Sequence, residues 1–297
     1  MTNKSWIALG IGKKNKKGEY LDMYFHPSNI SSSDTILEES PEYELVKVSD
    51  ALPPSTVQET YLKLHLISLR LVKPNQTNLE GIFGILPNVA WTSIGPVDVS
   101  ELSEKINEYK TNGTAIRVFS LDKFPSLTDY VSLTDVRIAD ASRVRLGAYL
   151  GSGTTVMHEG FVNFNAGTLG EAMVEGRISQ GVVVAENSDI GGGASTMGTL
   201  SGGNDIKISI GRNCLLGANS GLGIPLGDRC TVEAGLYLTS GAKIEMLDET
   251  GKIVKSLKAK ELANKTDLLF IRNSLTGAIQ CKKNSNVNKL NKDLHDS

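Results

Sequence analysis

The sequence contains few cysteines, carries little net charge and has no long apolar run. Only three of its 297 residues are cysteines, Cys214, Cys230 and Cys281, and they form no CxxC pair. An odd number of cysteines without such a pair argues against a secreted disulfide framework and favours a reducing cytoplasm. The formal net charge of −2 gives no general attraction to nucleic acid or to an anionic membrane, so we expect neither as a partner.

Membrane-spanning and secretory segments are also missing from the pattern. No apolar stretch approaches the roughly 18 residues that a membrane span requires. The first apolar run, residues 6–11, is short, and the lysines at 13–17 follow it instead of preceding it. This order is the reverse of a signal peptide. We therefore predict a cytoplasmic protein in which 13–17 is a solvated turn between two strands.

Residues 1–135 have a mixed composition with signals of both helices and strands. The segment 58–73 is dense in apolar residues, which is typical of a buried helix. The segment 97–112 has cleaner helical spacing and opens with Asp98 and Ser100 as candidate caps. We predict an α+β N-terminal domain over 1–135.

Residues 144–246 differ sharply from the rest of the chain. They hold 21 of the 30 glycines but only 6 of the 31 lysine and arginine residues, without helical periodicity. A six-residue repeat appears instead, with an aliphatic residue at most first positions and a small residue at most fifth positions. The first positions of its two runs are Val144, Leu150, Val156, Val162, Thr168 and Val174, then Ile210, Leu216, Leu226, Val232 and Leu238.

Such a repeat predicts a parallel β-helix with one hexapeptide on each side of a triangular cross-section. The aliphatic side chains fill an interior that stacked coils share, and glycines permit tight corners. The hexapeptide form is a left-handed exception to the usual right-handed crossover. The repeat slips by four residues before Val184 and again before Leu226. The glycines at 191–193 and 202–203 predict loops that leave the stack.

The chain becomes polar and rich in lysine after Met246. Residues 257–262 and 268–271 predict a short helix and a capping strand, and 282–297 predicts a frayed tail. The predicted fold is therefore an α+β N-terminal domain, a left-handed parallel β-helix over 136–246, and a short C-terminal cap with a flexible tail over 247–297.

Several segments of the repeat region resemble one enzyme family. They are MHEGFVNFNAGTLGEAMVEGRIS at 157–179, GGGASTMGTLSGG at 191–203, CLLGANSGLGIPLGD at 214–228 and VEAGLYLTSG at 232–241. The similarity extends through WTSIGPV, DKFPSLTDYV and RIADASRVRLGA upstream and through FIRNSLTGA downstream. These segments resemble the tetrahydrodipicolinate N-succinyltransferases of the actinobacterial type, over about 61–278.

The resemblance implies an acyltransferase of the diaminopimelate and lysine pathway. Enzymes of this family move succinyl from succinyl-CoA to the amine of L-2-amino-6-oxopimelate, the opened form of tetrahydrodipicolinate. Their catalytic glutamate lies in the segment MVEGRIS, which implies Glu175 here. Such a carboxylate can act as a general base or form a transient acyl anhydride, and the sequence leaves both open.

The same matching implies a set of acyl-CoA contacts. Glycine and alanine would let the pantetheine arm lie close to the backbone, Lys258 and Arg272 would neutralise phosphates, and Arg177 could instead pair with a substrate carboxylate. The implied contacts are Arg177, Gly192, Ser195, Ala218, Glu233, Ala234, Gly241, Lys258, Ile271, Arg272, Asn273 and Ser274.

The resemblance also implies a homotrimer with active sites in the grooves between neighbouring solenoids. Members of the family can hold a divalent ion on the trimer axis with an aspartate and a glutamate. The glutamate matches Glu159, but Ser142 stands at the aspartate position. Three Glu159 carboxylates could still attract Mg²⁺, and a non-catalytic cluster of axial charges is the equal alternative.

Three other functions compete with this one. Another solenoid acyltransferase, acting on serine, a sugar amine or a sugar nucleotide, would use a histidine base, for which His158 is the candidate. A carbonic-anhydrase-like enzyme needs three histidines on zinc and is excluded, because His158 is the only histidine in 144–246. A non-catalytic assembly platform is the third.

Overall fold

The computed structural model describes residues 4–32, 42–200, 206–286 and 290. The chain forms two compact units that divide between Val131 and Ser132. Within the described ranges, no helix has the length and apolar character needed to cross a membrane.

The described part of the first unit contains two antiparallel three-stranded sheets, in the orders β2-β1-β3 and β5-β4-β6, together with three α-helices and a 3-10 turn at Leu127–Asp129. Strand β1 buries Trp6 and Ala8 at alternate positions, as expected for a strand with one face on a core. The elements are β1 Ser5–Ile11, β2 Tyr24–Ser32, β3 Glu44–Ser49, α1 Val57–Ser68, α2 Ile82–Ile85, β4 Val89–Thr92, β5 Gly95–Asp98, α3 Leu102–Thr111 and β6 Val118–Asp122.

Helix α1 is buried in the first unit, since every residue from Thr60 to Ser68 is buried. Its N-terminus is capped by the Thr56 side chain, which accepts a hydrogen bond from the Glu59 amide at 3.2 Å. The prediction of a helix over 58–73 overran the C-terminus. Arg70 adopts a left-handed conformation with φ 62°, which ends the helix.

The segment 97–112, predicted as one helix, contains the end of β5 and then α3. The Asp98 carboxylate accepts hydrogen bonds from the Ser100 amide at 2.8 Å and hydroxyl at 2.7 Å, which forms a turn before the helix. Glu101 occupies the N-cap without a side-chain cap. The two predicted capping residues therefore shape the loop and do not cap the helix.

The second unit is a parallel β-helix with a mixed sheet at its C-terminal end. Two 3-10 turns precede or interrupt its strands, at Ala141–Arg143 and Ala259–Leu262. The strands are β7 Arg137–Ile138, β8 Ala148–Leu150, β9 Thr154–Val156, β10 Phe161–Val162, β11 Ala166–Thr168, β12 Ala172–Val174, β13 Arg177–Ile178, β14 Val183–Val184, β15 Ser188–Ile190, β16 Ser195–Thr196, β17 Ser209–Ile210, β18 Leu215–Leu216, β19 Gly221–Leu222, β20 Thr231–Val232, β21 Tyr237–Leu238, β22 Lys243–Leu247, β23 Ile253–Lys258, β24 Leu268–Arg272 and β25 Ile279–Lys283.

Three parallel faces make up the β-helix. The first face contains β8, β11, β14 and β17, the second contains β7, β9, β12, β15, β18 and β20, and the third contains β10, β13, β16, β19 and β21. The first positions of the predicted repeat pair with one another in register, as Val156 and Val174 do on the second face, and Val174 pairs in turn with Ile190 of the next coil. All three are fully buried. The six-residue period thus corresponds to a column of interior side chains, and the hexapeptide β-helix is confirmed.

The C-terminal cap extends the second face. Strand β24 pairs with β20, β25 runs antiparallel to β24, and β22 and β23 form a hairpin beside them. Phe270 of β24 is fully buried against the last coil and closes the interior column below Val232. Strand β25 orders the beginning of the segment that was predicted to be a frayed tail. Residues 287–289 and 291–297 of that segment lie outside the described residues.

One predicted loop is wrong. Residues 191–193 do not leave the stack but form an ordinary corner between Ile190 and Thr196, both interior residues. Gly193 adopts φ 69° there, which explains the glycine. The second predicted loop, 202–203, lies outside the described residues, and its flanks Thr199 and Lys207 pair as an antiparallel bridge.

Candidate active site

Five of the thirteen residues predicted to act in catalysis and acyl-CoA binding lie at one edge of the β-helix, where the second face meets the third. We call this column of corners the second–third edge. The amides of Gly193, Asn219 and Gly235 donate hydrogen bonds of 2.8 to 3.2 Å to carbonyls of the corner one coil earlier, so these corners stack directly on the one that carries Glu175. The predicted residues on this edge, in successive coils, are Glu175, Gly192, Ala218 and the pair Glu233–Ala234.

The corner that carries Glu175 is shorter than the others. Its flanking interior residues, Val174 and Ile178, are four positions apart, whereas every other described coil uses six positions at this edge. This is the four-residue slip that the sequence shows before Val184. Because two residues are missing here and present in the coils on either side, the longer corners border a recess with Glu175 on its floor.

Gly176 makes the short corner possible. A Cβ at this position would lie 2.4 Å from the carbonyl oxygen of Ala194 and 2.9 Å from that of Gly191. Real carbon–oxygen contacts of this kind are about 3.3 Å or longer. The Ala194 oxygen is held in place because it accepts a hydrogen bond from the Arg177 amide at 2.7 Å. The short corner therefore fits tightly against the following coil.

The Glu175 side chain is half-buried and faces the next corner of the column. Its Oε2 atom lies 4.0 Å from the point where a Cβ of Gly192 would be. Within the described part of the chain, no hydrogen bond or ion pair engages this carboxylate. Its lone pairs are therefore open to an approaching cation or N–H donor.

The corner one coil before Glu175 carries His158 and Glu159, both exposed. The Glu159 side chain is 79% exposed, and its carboxylate lies 3.9 Å from the Arg143 guanidinium, which also donates to the Glu159 carbonyl at 3.1 Å. Ser142 donates its hydroxyl to Asp140 at 2.7 Å, and this bond lowers the pKa of the Asp140 carboxyl. The described residues of one chain contain no group of three metal-ligating side chains.

The third face presents a row of outward-pointing residues beside the edge. Arg177 donates a hydrogen bond of 2.6 Å from its guanidinium to the Ser195 hydroxyl, and the two residues are paired on adjacent strands. Gly221 and Tyr237 continue the same row in the next two coils. The structure thus brings Arg177 and Ser195 together one short step from Glu175.

The remaining predicted contacts lie at the C-terminal end of the β-helix. The Arg272 amide donates to the Glu233 carboxylate at 2.6 Å, and the Arg272 guanidinium donates to the Gly235 carbonyl at 3.1 Å. These bonds fix Arg272 beside the last corner of the second–third edge. Gly241 lies at the next corner along the chain, between β21 and β22, and Lys258, at the end of β23, pairs with Lys243 close to it.

Two features of this site were missed in the sequence. The sequence shows the four-residue slip of the repeat before Val184, but it was not used to predict that Glu175 lies in a shortened corner. Tyr237 and Gly221 were also passed over, although they occupy equivalent positions in consecutive repeats. The repeat shortens to four residues between Leu222 and Leu226. When this step is included, Gly221 and Tyr237 align at the same position of consecutive coils.

Comparisons with known proteins agree on one family. The model "Tetrahydrodipicolinate N-succinyltransferase middle" matches residues 86–126, and "Hexapeptide repeat of succinyl-transferase" matches 207–240. The 2,3,4,5-tetrahydropyridine-2,6-dicarboxylate N-succinyltransferase of Pseudomonas aeruginosa is 62% identical over 246 residues, which cover 83% of this chain and 71% of that protein. The enzyme of the same name from Vibrio cholerae is 61% identical over 242 residues, or 82% and 71%.

A solved structure supports the same assignment. The crystal structure of a protein described as a 2,3,4,5-tetrahydropyridine-2-carboxylate N-succinyltransferase from Campylobacter jejuni superposes with a TM-score of 0.86 at 29% identity, covering 96% of this chain and 93% of that one. The predicted fold class and family are confirmed, whereas the actinobacterial subtype stays a prediction. This chain belongs to the tetrahydrodipicolinate N-succinyltransferase family.

Proposed function

We propose that this protein transfers succinyl from succinyl-CoA to the amine of L-2-amino-6-oxopimelate, in the pathway to diaminopimelate and lysine. The observation that carries the proposal is Glu175, an unpaired, half-buried carboxylate in the short corner of the second–third edge. Small-residue corners continue from it along the β-helix. The names of relatives 61–62% identical support the same reaction.

Glu175 acts as the general base in this proposal. Its carboxylate accepts a proton from the ammonium of the acceptor, and the freed nitrogen attacks the thioester carbonyl carbon. A C–N bond forms and the C–S bond breaks. Of the two protons that the nitrogen loses, one goes to the departing CoA sulfur and one to solvent. Direct attack is preferred to an acyl anhydride as the simpler route, because it requires no covalent acyl-enzyme.

The acyl-CoA lies along the second–third edge in this proposal. Neighbouring coils are about 4.8 Å apart, so the three steps from Glu175 to Ala234 span roughly 14 Å. Gly192 and Ala218, which lie between these two residues, are small and leave room along the edge for an extended pantetheine arm. Lys258 and Arg272 neutralise phosphates at the nucleotide end. Arg177 holds a substrate carboxylate near Glu175.

The protein works as a homotrimer in this proposal, with the grooves between solenoids closing the active sites. The recess at Glu175 is open on its outer side within one chain, and a threefold ring would cover it with a neighbouring solenoid. Sedimentation velocity measures the oligomer directly. A fully active monomer would refute the shared site. The cytoplasmic location also remains a prediction, and three free, buried cysteines support it.

In this proposal the negative charge of Glu159 is balanced by the Arg143 guanidinium, and a magnesium ion is the alternative. A hard divalent ion requires several oxygen ligands, whereas the one Glu159 carboxylate of each chain already faces a guanidinium. The charge cluster that was predicted as the equal alternative therefore has the better support. No step of the reaction depends on it.

An acceptor-dependent thiol assay tests the function. The protein is mixed with succinyl-CoA, the keto-amine acceptor is added, and free CoA thiol is followed with a chromogenic disulfide. We expect release only when both substrates are present, and much slower release with acetyl-CoA. Absence of acceptor-dependent release with any short acyl-CoA would leave the assembly platform as the better explanation. Release with a serine or sugar-amine acceptor instead would favour the other solenoid acyltransferases.

A further inference from the structure

Tyr237 lies over a gap that Gly221 leaves in the third face. The two residues are paired on adjacent strands, and a Cβ on Gly221 would lie 2.2 Å from Cε2, 2.3 Å from Cδ2 and 2.4 Å from Cζ of the Tyr237 ring. These distances are far below a real contact, so the ring occupies the space that any other residue at 221 would fill. Tyr237 is thereby held against the preceding coil.

The ring is nevertheless accessible. Tyr237 is 47% exposed, while Gly221 beneath it is buried. Cζ, the carbon that bears the hydroxyl, is among the atoms above Gly221, so the hydroxyl reaches the face of the preceding coil. In the part of the chain that the structure describes, this hydroxyl makes no hydrogen bond.

The ring continues the row that begins beside the catalytic glutamate. Arg177, Ser195, Gly221 and Tyr237 pair in register across four strands of the third face, with Arg177 bonded to Ser195 at 2.6 Å. The middle two residues are small, whereas Arg177 and Tyr237 project at either end. The row runs parallel to the second–third edge, with the Tyr237 ring over Gly221 and the Arg177 guanidinium bonded to Ser195.

We infer that Tyr237 is an acyl-CoA-binding residue that contacts the pantetheine arm, with Gly221 providing the space that sets the orientation of its ring. This inference rests on the proposed function. A pantetheine arm alternates apolar methylene and methyl groups with amides. A tyrosine offers such a chain a flat apolar surface and a hydroxyl that can donate to, or accept from, an amide.

The test is a double-mutant cycle on the full-length protein. Tyr237→Ala should raise KM for succinyl-CoA about tenfold, with kcat and KM for the acceptor within about twofold. Tyr237→Phe should raise the KM for succinyl-CoA about threefold through loss of the hydroxyl. Gly221→Ala should act like Tyr237→Ala, because the added methyl displaces the ring. In the Tyr237→Ala background the same change should add little, since the ring is gone.

Tyr149→Ala is the matched control. Tyr149 is a half-buried tyrosine on the first face, away from the second–third edge, and its removal should leave KM for succinyl-CoA unchanged. An unchanged KM in Tyr237→Ala would overturn the inference. So would additive effects of Gly221→Ala and Tyr237→Ala, or a change of oligomeric mass in Tyr237→Ala, which would assign the residue to assembly.

Calorimetric titration with CoA alone separates this inference from the proposed function. If the wild type binds CoA but transfers nothing, the proposed function fails, while a weaker Kd in Tyr237→Ala still supports the contact. If CoA binds the wild type and the variant equally, the contact is refuted even when transfer occurs. If CoA does not bind the wild type, both fail.

Discussion

Replacing Gly176 with alanine should move Glu175 without removing it. The new Cβ would be 2.4 Å from the Ala194 carbonyl oxygen, and a normal contact requires about 3.3 Å. The short corner must therefore shift by roughly 0.9 Å to relieve the clash. A misplacement of about 1 Å in a reacting group can cost about 100-fold in rate. We expect kcat to fall by about two orders of magnitude while the β-helix remains folded.

Overpacking of this kind costs typically about 1–3 kcal/mol of stability, so thermal unfolding should begin at a lower temperature than in the wild type. Gly192→Ala is the control for stability on the same edge, whereas its KM for succinyl-CoA should rise because Gly192 is itself a proposed acyl-CoA contact. Its Cβ would meet its nearest atom, Glu175 Oε2, at 4.0 Å, which is an ordinary contact. Stability should then change by less than about 0.5 kcal/mol. The kcat of each variant is measured with saturating succinyl-CoA and acceptor. Wild-type kcat in Gly176→Ala would refute the role of the short corner.

Three further predictions follow from the same structure. Glu175→Gln should lower kcat by about 10²–10⁴-fold with the oligomer intact, and His158→Ala by less than about threefold; the opposite ranking in steady-state assays would make the histidine the base. Burial lowers the pKa of His65 to about 4 from an ordinary 6.5, so as the pH falls the unfolded chain binds a proton before the folded chain does. The free energy of unfolding should therefore fall as the pH drops from 6.5 towards 4, by about 2 kcal/mol at pH 5. Urea unfolding measures this loss, and a His65 proton resonance that titrates near 6.5 would contradict the prediction. Treatment with EDTA should leave oligomeric mass and kcat unchanged if Arg143 balances Glu159, whereas dissociation reversed by Mg²⁺ would establish the metal.

The interior of the β-helix was predictable from sequence because its determinants are local. In a strand, alternate side chains point to opposite faces, so an aliphatic residue at every sixth position specifies which residues fill the core. The stacked arrangement of the corners followed from the same period. Family resemblance then supplied Glu175, and the stacking explains why Gly192 and Ala218 lie on the same edge.

Other parts depended on contacts that a sequence does not show. Helix α1 stops at Ser68 although apolar residues continue, because Arg70 turns the backbone into the left-handed region. Residues 191–193 resemble a flexible loop in composition, yet interior residues on both sides hold them in a corner. Tyr237 drew no notice because its role depends on the missing side chain of a residue one coil away.

The positions of the irregular corners indicate how this scaffold acquires a site. From the first face to the second, interior residues are always six positions apart, from Leu150–Val156 to Leu226–Val232. The other two edges carry the short corners and the long connection after Thr196. Strand register is maintained across the short corner, since Val162 still pairs with Ile178. Residues can therefore be lost or gained at a corner without displacing the core, because the shared interior is built by the faces. In this way a β-helix can place a carboxylate in a recess at little cost to its stability. A ligand is least expected at the regular edge between the first and second faces.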